Sequence, residues 1–261
     1  MVLDGKTVLI SGVGPGLGRS CAAAALRDGA NVIATARNLE RLQTVMAELD
    51  PSGDRTLACG ADIMDLDAVT AAVGAGVTKF GSLDGVTNVA AYDAVMGTLL
   101  ETDPETFRAV LDVNVFGTTN LVRGCVPALK ANGGGSIVLI GSQSAHKPNP
   151  VPQGPYGPSK AALIAVARDL AEDLGSDRIR VNTVVPTWMW GPNVELYCQW
   201  QAGERGVDPA DIKAEIESGM ALCEMPTDAD VAEAVVFFLS DRSRMVTGQR
   251  IIVNAGEYFD T

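Results

Sequence analysis

Tyr156 and Lys160 stand four positions apart in the segment Tyr156-Gly157-Pro158-Ser159-Lys160. On a helix, positions i and i+4 share a face, so a phenol and an ammonium can converge on one point. An ammonium favours the phenolate and is expected to draw the Tyr156 pKa below its ordinary value of about 10. Such a hydroxyl can give or take a proton near neutral pH. Pro158 would cost about 3 kcal/mol in a helix interior, but in a first turn its missing N–H is not needed. Pro155 sets the helix start at about residue 155, which leaves Tyr156 in the first turn.

The second constellation is the turn Ser11-Gly12-Val13-Gly14-Pro15-Gly16-Leu17-Gly18. Leu17 departs from the dinucleotide fingerprint G-x-G-x-x-G, and the spacing is instead G-x-x-x-G-x-G over Gly12, Gly16 and Gly18. The physics is shared: a strand turns tightly, backbone approaches a pyrophosphate, and the N–H groups of the next helix face the phosphates. Its place between the first strand and the first helix separates this turn from an ordinary glycine loop. The second strand ends Ala34-Thr35-Ala36-Arg37. No carboxylate is there to hold adenosine ribose hydroxyls, whereas a guanidinium can bind a 2′-phosphate. Arg37 therefore favours NADP(H), with NAD(H) as the alternative if Arg37 only stacks on adenine or faces solvent beside Glu40. Asp62 either accepts from the adenine amine or caps a helix.

These residues need a frame. Apolar runs predict strands at 6–11, 31–36, 56–59, 85–89, 136–140, 178–184 and 249–254. Helical patterns alternate with them at 17–28, 39–49, 66–80, 104–131, 155–174 and 230–239. The long 104–131 helix opens with Asp103-Pro104 as cap and first turn, and Asp228 or Thr227 stands near the cap of the last. The alternation predicts an α/β fold: a Rossmann-like, doubly wound, parallel seven-stranded sheet with helices on both faces. The 261 residues fit one domain holding both cofactor and chemistry. The irregular stretch 186–226 follows a strand's carboxyl end, so 187–226 reads as a substrate loop or lid.

Composition excludes several classes. A net charge of −12 argues against general nucleic-acid binding. No 18-residue apolar run predicts a membrane span, and the start of the chain reads as a strand rather than a secretory signal. Cys21, Cys59, Cys125, Cys198 and Cys223 lack metal-ligand spacing, so no metal is expected. Reduced, structural cysteines suit a cytoplasmic protein.

In this order and spacing the chain resembles, over essentially its whole length, the single-domain short-chain dehydrogenase/reductase family. The resemblance rests on Gly12, Gly16 and Gly18, Asp62, Asn88-Val89-Ala90-Ala91, Asn114, Gly141-Ser142, Tyr156 with Lys160, and Arg178-Ile179-Arg180-Val181-Asn182. Pro186 and Thr247-Gly248-Gln249 extend it. It implies an oxidoreductase passing hydride between NAD(P)(H) and a secondary alcohol or ketone. Tyr156 would be the general acid/base, Ser142 would bond the substrate oxygen, and Ser144 is its rival. Lys160 would hold the nicotinamide ribose and Asn114 a water relay. Asn88 would stabilise the sheet beside the cofactor, and backbone from Pro186 to Met189 would bind the carboxamide. Gly14, Pro15, Leu17, Ile63 and Ala90 complete the implied cofactor set. Relatives are usually homodimers or homotetramers. The spacing of four favours carbonyl chemistry, because the family's enoyl reductases generally space the pair wider. A C=C reductase and a catalytically silent cofactor sensor stay as alternatives.

The chain also departs from the family. Asn88-Val89-Ala90-Ala91 replaces Asn-Asn-Ala-Gly, Thr187 replaces a Gly, and Gly191 replaces a Thr. Val253-Asn254-Ala255-Gly256 replaces Val-Asp-Gly-Gly. Substrate candidates are Tyr92, His146, Trp188, Trp190, Tyr197 and Trp200. His146 is either a solvated loop residue or a substrate contact. The aromatics form a lid, an interface, or an apolar pocket suited to a bulky apolar or aromatic substrate.

Overall fold

The computed structural model describes residues 1–148 and 151–259. Its apolar runs form β1 (Thr7–Ser11), β2 (Asn31–Ala36), β3 (Thr56–Gly60), β4 (Gly85–Asn88), β5 (Gly135–Ile140), β6 (Ile179–Pro186) and β7 (Arg250–Val253). They make one sheet in the order β3-β2-β1-β4-β5-β6-β7, and every pairing is parallel. The connecting helices are α1 (Leu17–Arg27), α2 (Leu39–Leu49), α3 (Leu66–Phe80), α4 (Pro104–Leu111), α5 (Thr118–Ala131), α6 (Tyr156–Gly175), α7 (Pro192–Arg205), α8 (Pro209–Ser218) and α9 (Asp228–Leu239).

Alternation along the strands divides the core between the two faces. Val8, Ile10, Val32 and Ala34 pack with Cys21, Ala22 and Ala25 of α1 and with Val231, Val235 and Phe238 of α9. Leu9, Ile33, Val86 and Ile137 pack with Val69 of α3, Leu121 and Cys125 of α5, and Leu163 of α6. The strand order reverses at β1, which pairs with β2 on one side and β4 on the other. Such a reversal opens a crevice at the carboxyl ends of the two diverging strands. Gly12 follows β1 and Val89 follows β4, so the glycine turn and the Asn88–Ala91 stretch border that crevice.

Two expectations change. The helix expected over 104–131 is interrupted by a π-helical turn at Asp112–Gly117. Thr118 and Thr119 bond their hydroxyls back to the Asn114 and Val115 carbonyls at 2.7 and 2.9 Å, which stabilises the widened turn. The stretch 186–226 contains α7 and α8 rather than irregular chain. Both helices have proline in the first turn, where it is tolerated, and Asp208 and Asp211 form a capping box on α8. Cys198, Ala202 and Ile212 bury a small core between them. On α9 the cap is Thr227, which exchanges bonds with Asp230. No described helix is long and apolar enough to cross a membrane, and among the described residues no group of His, Cys, Asp and Glu could hold a metal ion.

Candidate active site

The cradle is built by omission of side chains. A Cβ on Gly12 (φ 77°) would stand 2.4 Å from the Ala90 nitrogen, and one on Gly18 2.3 Å from the Gly12 carbonyl oxygen. These two glycines let β1, α1 and the chain after β4 approach closely. A Cβ on Gly14 would meet nothing within 4 Å, so that position faces open space. A cavity of about 1150 Å³ runs from Gly12, Val13 and Gly14 past Ala36 and Arg37 to Asp62, Ile63 and Ala90–Ala94. It is long and backbone-lined at one end and cationic at the other, which fits a dinucleotide. Pro15 is exposed at the turn and Leu17 is buried in the core, so neither side chain lines this space.

Arg37 is exposed and makes no ion pair with Glu40 or any other described residue. Arg41 lines the same end of the cavity, one helical turn on, where Asn38 caps α2 by accepting from the Arg41 N–H at 2.9 Å. Sequence reasoning missed this second cation, although a spacing of four on an N-terminal helical turn signals it. Asp62 is not a helix cap: Asp65 caps α3. Asp62 Oδ1 instead accepts from the Met64 N–H at 2.9 Å, which turns the chain along the cavity wall.

At the other end, Ser142 follows β5 and Tyr156 opens α6, with Pro158 in the first turn. Ser142 stands beside Tyr156 and acts to lower its pKa. Ser142 Oγ also donates to Ser144 Oγ and accepts from the Ser144 N–H, each at 3.2 Å. Lys160, buried, donates its Nζ to the Ile140 carbonyl oxygen at 2.8 Å and lies 5.6 Å from the centre of the Tyr156 ring. The expected drop in the Tyr156 pKa is reversed in the free protein. Desolvation in this packed neighbourhood pushes the phenol up, Asp93 adds to it, and the nearby Ser142 opposes it. Desolvation also lowers Lys160 to about 8, against the raising effect of Asp93. Desolvation is the largest effect at both residues because each charged form loses water.

The asparagines are tied together. Ser11 Oγ donates to Asn88 Oδ1 and Asn88 Nδ2 donates to Thr118 Oγ1, both at 2.7 Å. Asn114, inside the π-helical turn, accepts from the Tyr92 N–H at 2.7 Å and donates to the Tyr92 carbonyl at 3.1 Å and to Ser159 Oγ at 2.9 Å. It thereby fixes the chain after β4 against the first turn of α6. Thr118 and Ser159 were not singled out from sequence; buried hydroxyls give no pattern of their own.

The substrate candidates separate. The Trp188 and Tyr197 ring centres lie 5.1 Å apart and those of Tyr197 and Trp200 6.1 Å, each pair tilted. Trp190 and Tyr197 pack on the small α7–α8 core, Lys213 covers Trp190, and Trp200 is exposed. Trp188 is half-buried one residue past Thr187. Tyr92 lines the large cavity. His146 lies 5.8 Å from the Tyr258 ring, against the C-terminal tail. Pro186 ends β6 opposite Val253, and Met189 packs on the first core.

A family profile described as Enoyl-(Acyl carrier protein) reductase matches residues 12–257. The chain belongs to the short-chain dehydrogenase/reductase family and is an oxidoreductase acting with NAD(P). It is 28% identical over 254 residues to a 3-oxoacyl-(acyl-carrier-protein) reductase of Staphylococcus aureus, covering 97% of this chain and 98% of that one. Among solved structures, an L-sorbose reductase from Gluconobacter frateurii, complexed with NADPH and L-sorbose, superposes with a TM-score of 0.90. It is 26% identical, with 98% of each chain covered. An NAD+-bound xylitol dehydrogenase superposes with a TM-score of 0.87, also at 26% identity, over 98% of this chain and 100% of that one.

Proposed function

We propose that this protein interconverts a secondary alcohol and a ketone, preferring NADP(H). The observation that carries the reading is the meeting of Tyr156 and Lys160 at the start of α6, with Lys160 Nζ 5.6 Å from the Tyr156 ring centre and anchored on the Ile140 carbonyl just before Ser142. The nicotinamide, when bound, accepts or donates the hydride. In the oxidative direction the carbinol C–H bond breaks, the hydride leaves with its electron pair, and the hydroxyl proton passes to Tyr156. In reduction Tyr156 returns that proton to the oxygen. Ser142 holds the oxygen, Lys160 bonds ribose and favours the phenolate when charged, and Asn114 keeps Tyr92 and α6 in register. Gly12 and Gly14 provide the phosphate cradle, and Arg37 with Arg41 attracts a 2′-phosphate. The proposed substrate is bulky and apolar or aromatic, because Trp188 brings an apolar face to the chain just after Pro186.

The description of the matching profile favours a second reading, reduction of an activated C=C bond. Both readings are tested by following reduced-nicotinamide absorbance with each cofactor. The panel contains a bulky secondary alcohol, a three-carbon alcohol, a 3-oxoacyl thioester and an enoyl thioester. The proposal expects the bulky alcohol to have the highest kcat/KM. Tyr156→Phe is expected to lower kcat by about 10² or more while cofactor binding persists. Near-normal turnover in that variant, or turnover of the enoyl thioester alone, sinks the proposal.

A further inference from the structure

Glu257 lies beyond the last strand, yet its carboxylate is almost enclosed, with a tenth of its side-chain surface exposed. Lys147 Nζ donates to Oε1 at 2.6 Å and the Thr187 hydroxyl donates to Oε2. With the Gln143 amide nitrogen turned toward its acceptors, Gln143 donates to the same carboxylate at 2.7 Å. These partners come from two other loops. Gln143 and Lys147 follow β5, and Gln143 is bonded covalently to Ser142. Thr187 follows β6 and is bonded covalently to Pro186. The tail is shaped for this contact: the Glu257 N–H donates to the Asn254 carbonyl at 2.9 Å, and Asn254 Nδ2 donates to the Tyr258 carbonyl at 2.7 Å. Lys147 also lies 5.9 Å from the Tyr258 ring centre.

We propose that Glu257 is a positioning residue that knots the loops after β5, β6 and β7, holding Ser142 in register with the Pro186–Thr187 turn. A buried carboxylate taking three donors is rigid because any displacement strands at least one polar group. The proposal rests on the alcohol–ketone reading in placing Ser142 against the substrate oxygen and the 186–187 backbone beside the nicotinamide. Glu257 acts through the loops that carry these groups, by its bonds to Thr187 and Gln143. A loosening of about 1 Å between such groups costs about tenfold to 10²-fold in rate.

The test uses the full chain with Glu257→Ala, Glu257→Gln and Lys147→Met. Turnover is measured at 25 °C, well below melting, beside cofactor affinity and amide hydrogen exchange. For Glu257→Ala, kcat falls at least about tenfold while the cofactor Kd changes less than about threefold. Glu257→Gln, which keeps an acceptor for Thr187, recovers most of the loss, and Lys147→Met loses less than Glu257→Ala. Amide exchange speeds up at both 144–148 and 187–190 in Glu257→Ala. Wild-type kcat in Glu257→Ala, or unchanged exchange in either segment, overturns the knot. If the wild-type enzyme turns over no alcohol or ketone, the proposed function fails and the exchange measurement still decides the knot. If Glu257→Ala does not fold, Glu257→Gln and Lys147→Met decide it: unchanged exchange in both segments for both variants overturns the knot.

Discussion

Lys160 Nζ and the Ile140 carbonyl oxygen stand 2.8 Å apart, which ties the first turn of α6 to the end of the strand that leads into Ser142. The bond holds the ammonium where water does not reach it, and this has a cost in stability. The ordinary value of 10.5 falls to about 8, so the unfolded chain binds a proton that the folded chain releases in that interval. Folding is therefore penalised in full below pH about 8 and not at all above 10.5.

Replacing the ammonium should stabilise the protein while removing its activity. The interval corresponds to on the order of 3 kcal/mol at about 1.4 kcal/mol per pH unit. Loss of the bond to Ile140 offsets about 1 kcal/mol or more. Lys160→Met is expected to gain about 1–2 kcal/mol at pH 7. The gain should shrink as pH rises toward 10.5. Urea unfolding at pH 7 and at about pH 9.5 checks both; an advantage that does not change with pH contradicts the burial argument.

Cofactor preference should depend on both cations, Arg37 just after β2 and Arg41 in the first turn of α2. Arg37→Ala is expected to weaken NADPH by about 1.5–3 kcal/mol, the scale of a hydrogen bond to a charged group, with little change for NADH. Arg41→Ala should act in the same direction and more weakly, because its guanidinium lies a turn further along the cavity wall. Titration of protein fluorescence with each cofactor gives the comparison. Equal weakening of NADH and NADPH removes the 2′-phosphate from the explanation.

Asp228 is expected to oppose cofactor binding. Its Oδ2 lies 3.6 Å from where a Cβ on Gly16 would stand and 3.9 Å from one on Gly191, so a carboxylate adjoins the glycine turn at Gly16. Burial pushes this carboxyl up from its ordinary value, and the proton it then holds at lower pH relieves the repulsion. Affinity for both cofactors should therefore rise as pH falls. Asp228→Asn should tighten both by about fivefold at neutral pH, on the order of 1 kcal/mol for charges several ångströms apart at a wet surface. It should also flatten the pH dependence. A variant that binds one cofactor more tightly and the other unchanged contradicts this account.

Ala255 carries the left-handed φ of 50° in the tail turn. A left-handed non-glycine residue costs about 1–2 kcal/mol, and glycine returns about 0.5–1 kcal/mol of that as unfolded-state entropy. Ala255→Gly should therefore be more stable by about 0.5–1 kcal/mol. Thermal melting of the two proteins shows the difference; a lower Tm in the variant counts against local strain.

The sequence carried the sheet, the cradle and the Tyr156–Lys160 pair, because each depends on neighbours within about one helical turn or on strand periodicity. The π-helical turn was hidden because the apolar rhythm of 104–131 continues through Asn114. Helices α7 and α8 were hidden because Pro192, Gly206 and Pro209 read as breakers, whereas here they begin and end helices. The direction of the Tyr156 pKa needed burial, which no spacing reports. Glu257 had no signal at all: its partners Lys147 and Thr187 lie 110 and 70 positions away.

The α7–α8 pair leaves and rejoins the sheet at almost one point. Trp190 pairs with Thr227, and the Trp190 N–H donates to the Pro226 carbonyl at 2.8 Å. A segment whose ends already meet adds little loop-closure entropy when its length changes, and this one carries its own small core in Cys198, Ala202 and Ile212. It behaves as a cassette: residues 191–225 can be exchanged for a shorter or longer helical pair while β6, α9 and the groups after β5 stay in place. The helical pair can thus change length without reopening the question of how the chain folds.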